Sequence, residues 1–155
     1  MKKIFISSDH AGYKLKEQIK NYLSRKKIKI KDLGPSNDAS VDYPIYAHKV
    51  AREVKKNKNN IGILVCGSGT GMNITANKHK NIRAAQCFNV KSTKLSRLHN
   101  DANIITLGSR LLSKKNAIYC VSIFLEKFLM ILCFKLNPAW SDAINIFFKL
   151  IKFVI

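Results

Sequence analysis

Several features that mark metal-binding or secreted proteins are missing from this 155-residue sequence. Its four cysteines form no C-x-x-C pair and lack the spacing of a zinc site. The opening stretch, "MKKIFISSDH", is basic, but its apolar run is too short for a secretory signal. We therefore expect no bound metal, and a cytoplasmic protein whose thiols stay reduced.

Acidic residues are also scarce. The sequence has nine Asp and Glu residues and 28 Lys and Arg residues, which gives a formal net charge of +19. Such a basic chain invites a nucleic-acid interpretation. The basic residues, however, are mostly lysines scattered along predicted helices, and they do not alternate with aromatic residues as a groove for single strands requires. Charge alone gives non-specific affinity, so we do not expect nucleic acid as a partner.

The hydrophobic pattern alternates between strand and helix five times. Asp42 is expected to cap the second helix, with Pro44 in its first turn, and the last helix begins near Lys114. This alternation predicts an α/β fold, a three-layer Rossmann-like sandwich with a five-stranded parallel sheet and helices on both faces. The predicted strands are "KIFIS" (3–7), "IKIKDL" (28–33), "IGILVC" (61–66), "IRAAQCF" (82–88) and "NIITLGS" (103–109); the other helices lie in "YKLKEQIKNYL", "YAHKVAREV", "MNITANKHK" and "KSTKLSRLHN".

Polar and reactive residues concentrate where the predicted strands end. Ligands of such folds bind at the carboxyl ends of the strands. "SDH" (8–10) ends the first strand, "CGSGTG" (66–71) the third and "GSR" (108–110) the fifth, whereas "LHND" (98–101) lies just before the fifth. The sequence therefore predicts a pocket at this edge of the sheet.

The glycine-rich turn after the third strand matches neither common phosphate-binding motif. Met72 occupies the third glycine position of a dinucleotide fingerprint, and Asn73 and Ile74 stand where a P-loop needs its lysine and hydroxyl. What remains is G-x-G-x-G between a strand and a helix. Backbone N–H groups of such a turn converge beside a helix amino terminus, so they stabilise a bound phosphate or an oxyanion formed during a reaction.

Cys66 opens this turn, and two interpretations compete for it. A free cysteine is usually a small buried hydrophobe, which is our interpretation of Cys87, Cys120 and Cys133. At a strand end beside a helix amino terminus, however, the thiolate form is favoured, and Cys66 could act as a nucleophile or general base. Among the histidines, we interpret His48 and His79 as surface residues on helices, and His10 and His99, within polar clusters, as functional candidates.

The quoted motifs resemble ribose-5-phosphate isomerase type B, a family that includes the galactose-6-phosphate isomerase subunits. The resemblance rests on "SDHAGYKLK", "VDYP" (41–44), "CGSGTGMNITANK" (66–78), "RAA" (83–85), "LSRLHNDANI" (95–104) and "LGSR" (107–110). It implies a cofactor-free aldose–ketose isomerase that interconverts ribose 5-phosphate and ribulose 5-phosphate. It also implies a homodimer, or a tetramer, whose active sites draw on two chains.

The resemblance also implies roles for individual residues. Cys66 matches the base that moves a proton through an enediolate, His99 matches the residue that opens the furanose ring, and the Ser68 hydroxyl matches a proton relay. The residues that match sugar and phosphate contacts are Asp9, His10, Tyr43, Asn100 and Arg110. The backbone N–H groups that match the enediolate cradle belong to Gly67, Ser68, Gly69, Thr70 and Gly71.

The family pattern stops after residue 128, so we divide the chain into an isomerase domain (1–128) and an atypical apolar tail (129–155). Two family arginines that hold the substrate phosphate would fall at Cys133 and Asn137, and no arginine follows Arg110. The tail is too short and too charged to span a bilayer. Two alternatives therefore stay open: a six-carbon sugar-phosphate isomerase subunit, and a weakened or inactive member of the family.

Overall fold

The computed structural model describes residues 3–136, with side chains up to residue 126, and it confirms the predicted α/β fold. Strands and helices alternate along these residues as the sequence predicts. The strands are β1 (Ile4–Ser8), β2 (Lys31–Asp32), β3 (Ile61–Cys66), β4 (Ala84–Gln86) and β5 (Ile104–Gly108); the helices are α1 (Tyr13–Arg25), α2 (Tyr43–Val54), α3 (Thr70–Asn77), α4 (Val90–Asn100) and α5 (Lys114–Leu136).

The five strands form one parallel sheet in the order β2-β1-β3-β5-β4. The central strands β1, β3 and β5 are fully buried, whereas the edge strands β2 and β4 have only two and three residues. Short edge strands limit pairing with other chains. The chain reverses its direction of winding between β1 and β3, which is where the fold predicts a ligand pocket.

Helices cover both faces of this sheet because consecutive side chains of a strand point to opposite sides. Phe5 and Leu64 belong to a buried cluster with α2 and α3 side chains such as Val50 and Met72. On α1 and α5, the Ser122 hydroxyl donates to the Tyr22 hydroxyl at 2.9 Å. The pairing of β1 with β3 and of β3 with β5 places the carboxyl ends of these strands side by side.

Several predicted boundaries were wrong. "IKIKDL" and "IRAAQCF" form strands only at Lys31–Asp32 and Ala84–Gln86, since edge strands pair on one side. Helix α3 begins two residues before Met72 and ends at Asn77, so His79 lies beyond it. Asp42 occupies the N-cap position of α2, but its side chain makes no capping hydrogen bond.

Lys16 is an unexpected buried charge on α1, with no exposed surface. Its ammonium group donates to both Asp32 oxygens, at 3.1 and 3.3 Å, and to the Pro35 carbonyl. Burial opposes ionisation of Asp32, but hydrogen bonds from Lys20, Gly34 and Lys16 outweigh it and lower the pKa of this carboxyl. The charge network fastens β2 and the following loop to α1.

The chain divides into two compact units, Met1–Phe124 and Leu125–Ile155. All the candidate site residues belong to the first. No helix within the described part of the chain is long and apolar enough to cross a membrane. The predictions for the tail, including Cys133 and Asn137, fall outside the described side chains.

Candidate active site

A cavity of about 380 Å³ opens at the carboxyl ends of β1 and β3. This volume is in the usual range for small-molecule sites. Eight of the ten residues that line it were predicted from the strand ends or the family resemblance. The lining residues are Asp9, His10, Ala11, Tyr43, Cys66, Gly67, Ser68, Gly71, Arg110 and Leu111.

The loop after β1 brings Asp9 and His10 to the cavity. The Asp9 carboxylate is 7% exposed, and its Oδ1 accepts the Gly12 N–H at 2.7 Å. Gly12 must be a glycine because a Cβ there would lie 2.3 Å from the Val65 carbonyl oxygen. This close approach locks the loop against β3, whereas His10 is exposed at the mouth of the cavity.

Cys66 ends β3 and contributes to the cavity although it is only 4% exposed. Its sulfur is therefore less open than the sequence suggested. Sγ accepts a hydrogen bond from the Gly69 N–H at 3.0 Å. Gly69 has φ of +84°, in the left-handed region, and this conformation turns its N–H back toward the sulfur before α3 begins at Thr70.

The turn after Cys66 supplies the backbone donors that the sequence predicted, but not all five are open to a ligand. The Gly69 N–H bonds Cys66, and the Thr70 N–H donates to Ser68 Oγ at 3.2 Å. The N–H groups of Gly67, Ser68 and Gly71 have no acceptor within residues 3–126. These three donors lie at the amino terminus of α3, where an anion is stabilised.

Arg110 follows β5, and it contributes a guanidinium group to the lining of the cavity. Two backbone bonds join its segment to β3, because Ser109 N–H donates to the Cys66 carbonyl at 2.8 Å and Arg110 N–H to the Gly67 carbonyl at 3.0 Å. The guanidinium packs over Gly67, where a Cβ would lie 3.3 Å from Cζ. Tyr43 closes another side, with its ring 2.8 Å from a Cβ placed on Gly71.

Four predicted site residues do not line this cavity. Gly69 and Thr70 lie in the turn behind it. His99 and Asn100 end α4 and are exposed. The single chain therefore does not bring the predicted ring-opening histidine to Cys66.

The remaining cysteines and histidines differ from Cys66 in their surroundings. Cys87 and Cys120 are fully buried, as predicted, and burial raises the pKa of both thiols. His48 and His79 form a half-buried pair, with Nδ1 of the first 2.7 Å from Nε2 of the second. Among the described side chains, no group of three His, Cys, Asp or Glu residues is placed to hold a metal ion.

Sequence reasoning missed Ala11 and Leu111, which line the cavity, and Gln86, which contacts the glycine-rich turn. Ala11 and Leu111 adjoin His10 and Arg110, so their positions in the strand-end loops could have identified them. Gln86 had no such signal, because it follows an alanine pair within a predicted strand.

Comparisons with known proteins identify the family of this chain. The model of the Ribose/Galactose Isomerase family matches residues 4–129. Ribose-5-phosphate isomerase B of Escherichia coli is 40% identical over 125 residues, which are 81% of this chain and 84% of that protein.

Two solved structures have the same fold. Ribose 5-phosphate isomerase of Thermotoga maritima gives a TM-score of 0.78 at 47% identity, over 80% of this chain and 86% of that one. Ribose-5-phosphate isomerase B of Mycoplasma genitalium, with bound ribulose-5-phosphate, gives 0.78 at 42% identity, over 81% and 84%. The chain therefore belongs to the ribose/galactose isomerase family.

Proposed function

We propose that this protein is an aldose–ketose isomerase that interconverts D-ribose 5-phosphate and D-ribulose 5-phosphate. The observation that carries the proposal is the placement of Cys66 Sγ, held by the Gly69 N–H at 3.0 Å, in one cavity with Asp9 and Arg110. Proton transfer next to a carbonyl group needs a base and donors for the developing oxyanion. Cys66 and the turn that follows it supply both.

In the proposed reaction, the Cys66 thiolate removes the proton from C2 of the open-chain aldose. The electron pair shifts to the carbonyl oxygen and forms a cis-enediolate, which the N–H groups of Gly67, Ser68 and Gly71 stabilise. The thiol then returns the proton to C1, while the Ser68 hydroxyl moves a proton between the two substrate oxygens. A thiolate accepts the Gly69 N–H bond more strongly than a thiol does. The chemistry needs no cofactor.

Arg110 and His10 are the proposed phosphate contacts. Both are exposed at the cavity, and a guanidinium offers two parallel hydrogen bonds to a phosphate. Asp9 and Tyr43 are the proposed contacts of the sugar hydroxyls; both line the cavity, and the Asp9 carboxylate keeps acceptor capacity beyond its bond to Gly12.

We propose that His99 and Asn100 serve the active site of a second chain in a homodimer, or in a tetramer built from such dimers. Three large apolar side chains on or beside α4 support an interface, since Phe88 is 50%, Leu95 41% and Leu98 57% exposed. Exposed apolar clusters of this kind mark association surfaces. We also propose a cytoplasmic location, which the free, buried Cys87 and Cys120 support.

The test is turnover of ribose 5-phosphate by the purified full chain, followed as formation of ribulose 5-phosphate. Galactose 6-phosphate is the matched six-carbon substrate. We expect the five-carbon substrate to give the higher kcat/KM. A preference for galactose 6-phosphate would instead support the six-carbon alternative, and no turnover of either would contradict the proposal.

A second candidate is a weakened or inactive family member that only binds sugar phosphate. It is favoured by the absence of any arginine after Arg110. Two missing charge-assisted bonds, at roughly 1.5–3 kcal/mol each, would raise KM about a hundred- to ten-thousandfold. Replacing residues 129–155 with a family-type ending that carries Arg-His-x-x-Arg should restore much of kcat/KM. If the natural chain already exceeds about 10⁴ M⁻¹s⁻¹ and the graft adds nothing, the tail does not weaken the enzyme.

A further inference from the structure

Gln86, the last residue of β4, joins its strand to the turn that follows Cys66. Its Nε2 donates to the Ser68 carbonyl at 2.8 Å and lies 3.0 Å from Thr70 Oγ1. The Thr70 hydroxyl also lies 3.3 Å from Gln86 Oε1. One half-buried side chain thus holds the residues on both sides of Gly69.

Gly69 depends on outside support for its position. It is the N-cap residue of α3, it has a left-handed φ of +84°, and as a glycine it has no side chain to cap the helix, whose first N–H, on Thr70, donates to Ser68 Oγ instead. A Cβ on Gly69 would lie 3.3 Å from Gln86 Nε2, so the amide packs directly beside this glycine. The direction of the Gly69 N–H toward Cys66 Sγ therefore depends on how firmly Ser68 and Thr70 are held.

We infer that Gln86 is a positioning residue for the isomerase reaction proposed above, and the inference rests on that function. By anchoring the Ser68 carbonyl and the Thr70 hydroxyl, Gln86 keeps the Gly69 N–H on the Cys66 sulfur and the N–H groups of Gly67 and Ser68 aimed at the enediolate oxygen. Gln86 is not among the residues that line the cavity.

The test compares variants of Gln86 with a variant of Asn77, a second amide side chain that bonds α3 to β4. Gln86→Leu removes both bonds, and Gln86→Glu keeps the shape but cannot donate to the Ser68 carbonyl. The control is Asn77→Leu, because the Asn77 side chain bonds the Ala84 N–H and carbonyl, both at 2.9 Å, at the far end of α3. Asn77→Leu loosens the same helix and strand without touching the turn.

We expect both Gln86 variants to lower kcat about tenfold with KM within about twofold, because the donors they misalign act on the enediolate rather than on the phosphate. Asn77→Leu should lower the thermal midpoint at least as much and keep kcat within about twofold. Equal kcat in wild type and Gln86→Leu, or an equal loss in Asn77→Leu, would overturn the inference.

Amide hydrogen exchange separates this inference from the proposed function. Exchange of the Gly69 and Thr70 amides, the two bonded N–H groups of the turn, should become faster in Gln86→Leu and stay unchanged in Asn77→Leu. If the wild-type chain turns over no sugar phosphate, the proposed function has failed. Amide hydrogen exchange then still shows whether Gln86 holds the turn after Cys66. Unchanged protection of the turn in Gln86→Leu would overturn it.

Discussion

Gly69→Ala is the substitution that most directly strains the turn between Cys66 and α3. Alanine in the left-handed region at φ of +84° costs roughly 1–2 kcal/mol. Its Cβ would also lie 3.1 Å from the Leu107 carbonyl carbon and the Gly108 nitrogen, both backbone atoms that cannot rotate away. With the cost of overpacking, we expect a loss of roughly 2–4 kcal/mol in the free energy of unfolding.

The same change should move the residue 69 N–H away from Cys66 Sγ. Because the Gly69 N–H stabilises the Cys66 thiolate and its displacement also shifts the neighbouring Ser68 donor, we expect kcat to fall by about a hundredfold, as when one oxyanion donor is removed. The thermal midpoint should fall by roughly 5–15 °C. Both quantities are measurable on the full chain, by calorimetry and by ribulose 5-phosphate formation.

Gly67→Ala is the matched control for stability. The three atoms nearest to its Cβ would all belong to the Arg110 guanidinium, at 3.3–3.5 Å, and that exposed side chain can shift. Gly67 is buried, but its nearest neighbours belong to a side chain that can move, so we expect a smaller loss of unfolding free energy than in Gly69→Ala, together with a raised KM. If Gly69→Ala is as stable and as active as wild type, the geometry assigned to this turn is wrong.

Two further predictions concern histidines. His99→Asn should lower turnover of ribose 5-phosphate about a hundredfold. It should still exchange the C1 proton of ribulose 5-phosphate with D₂O, because the ketose needs no ring opening. Equal losses of turnover and of C1 exchange would contradict a role for His99 in ring opening. Burial, and then the charge of His48, lower the pKa of His79 below its ordinary 6.5. The contribution of His79 to the free energy of unfolding should therefore be full well above pH 6.5 and decrease as the pH falls below it, and urea unfolding of His79→Asn should show a flatter pH dependence.

The order of strands and helices was predictable from the sequence because the buried runs are short and the helical faces are amphipathic. The lengths of β2 and β4 were not, since the apolar pattern of "IKIKDL" does not reveal that β2 is an edge strand. The burial of Lys16 was also unpredictable, because its partners Asp32 and Pro35 belong to β2 and the loop after it, 16 and 19 residues away.

Most of the candidate site was predictable for a topological reason. Parallel strands bring their carboxyl ends to one edge, so Asp9, Cys66 and Arg110 had to lie close together. The contacts of Gln86 with the turn and the pairing of His48 with His79 were not predictable, because each joins residues 16 to 31 positions apart in the sequence. The pattern of apolar and polar residues within one helix or strand does not reveal contacts between distant side chains.

Proton exchange catalysed by Cys66→Ser tests the central claim most directly. Wild type and Cys66→Ser are each incubated with ribose 5-phosphate in D₂O, and deuterium at C2 is followed by NMR, with circular dichroism as the control for folding. A serine hydroxyl is a far poorer base than a thiolate, so we predict deuterium incorporation by wild type and none above background by the folded variant. Deuterium incorporation by Cys66→Ser at the wild-type rate would contradict the role of Cys66 as the base.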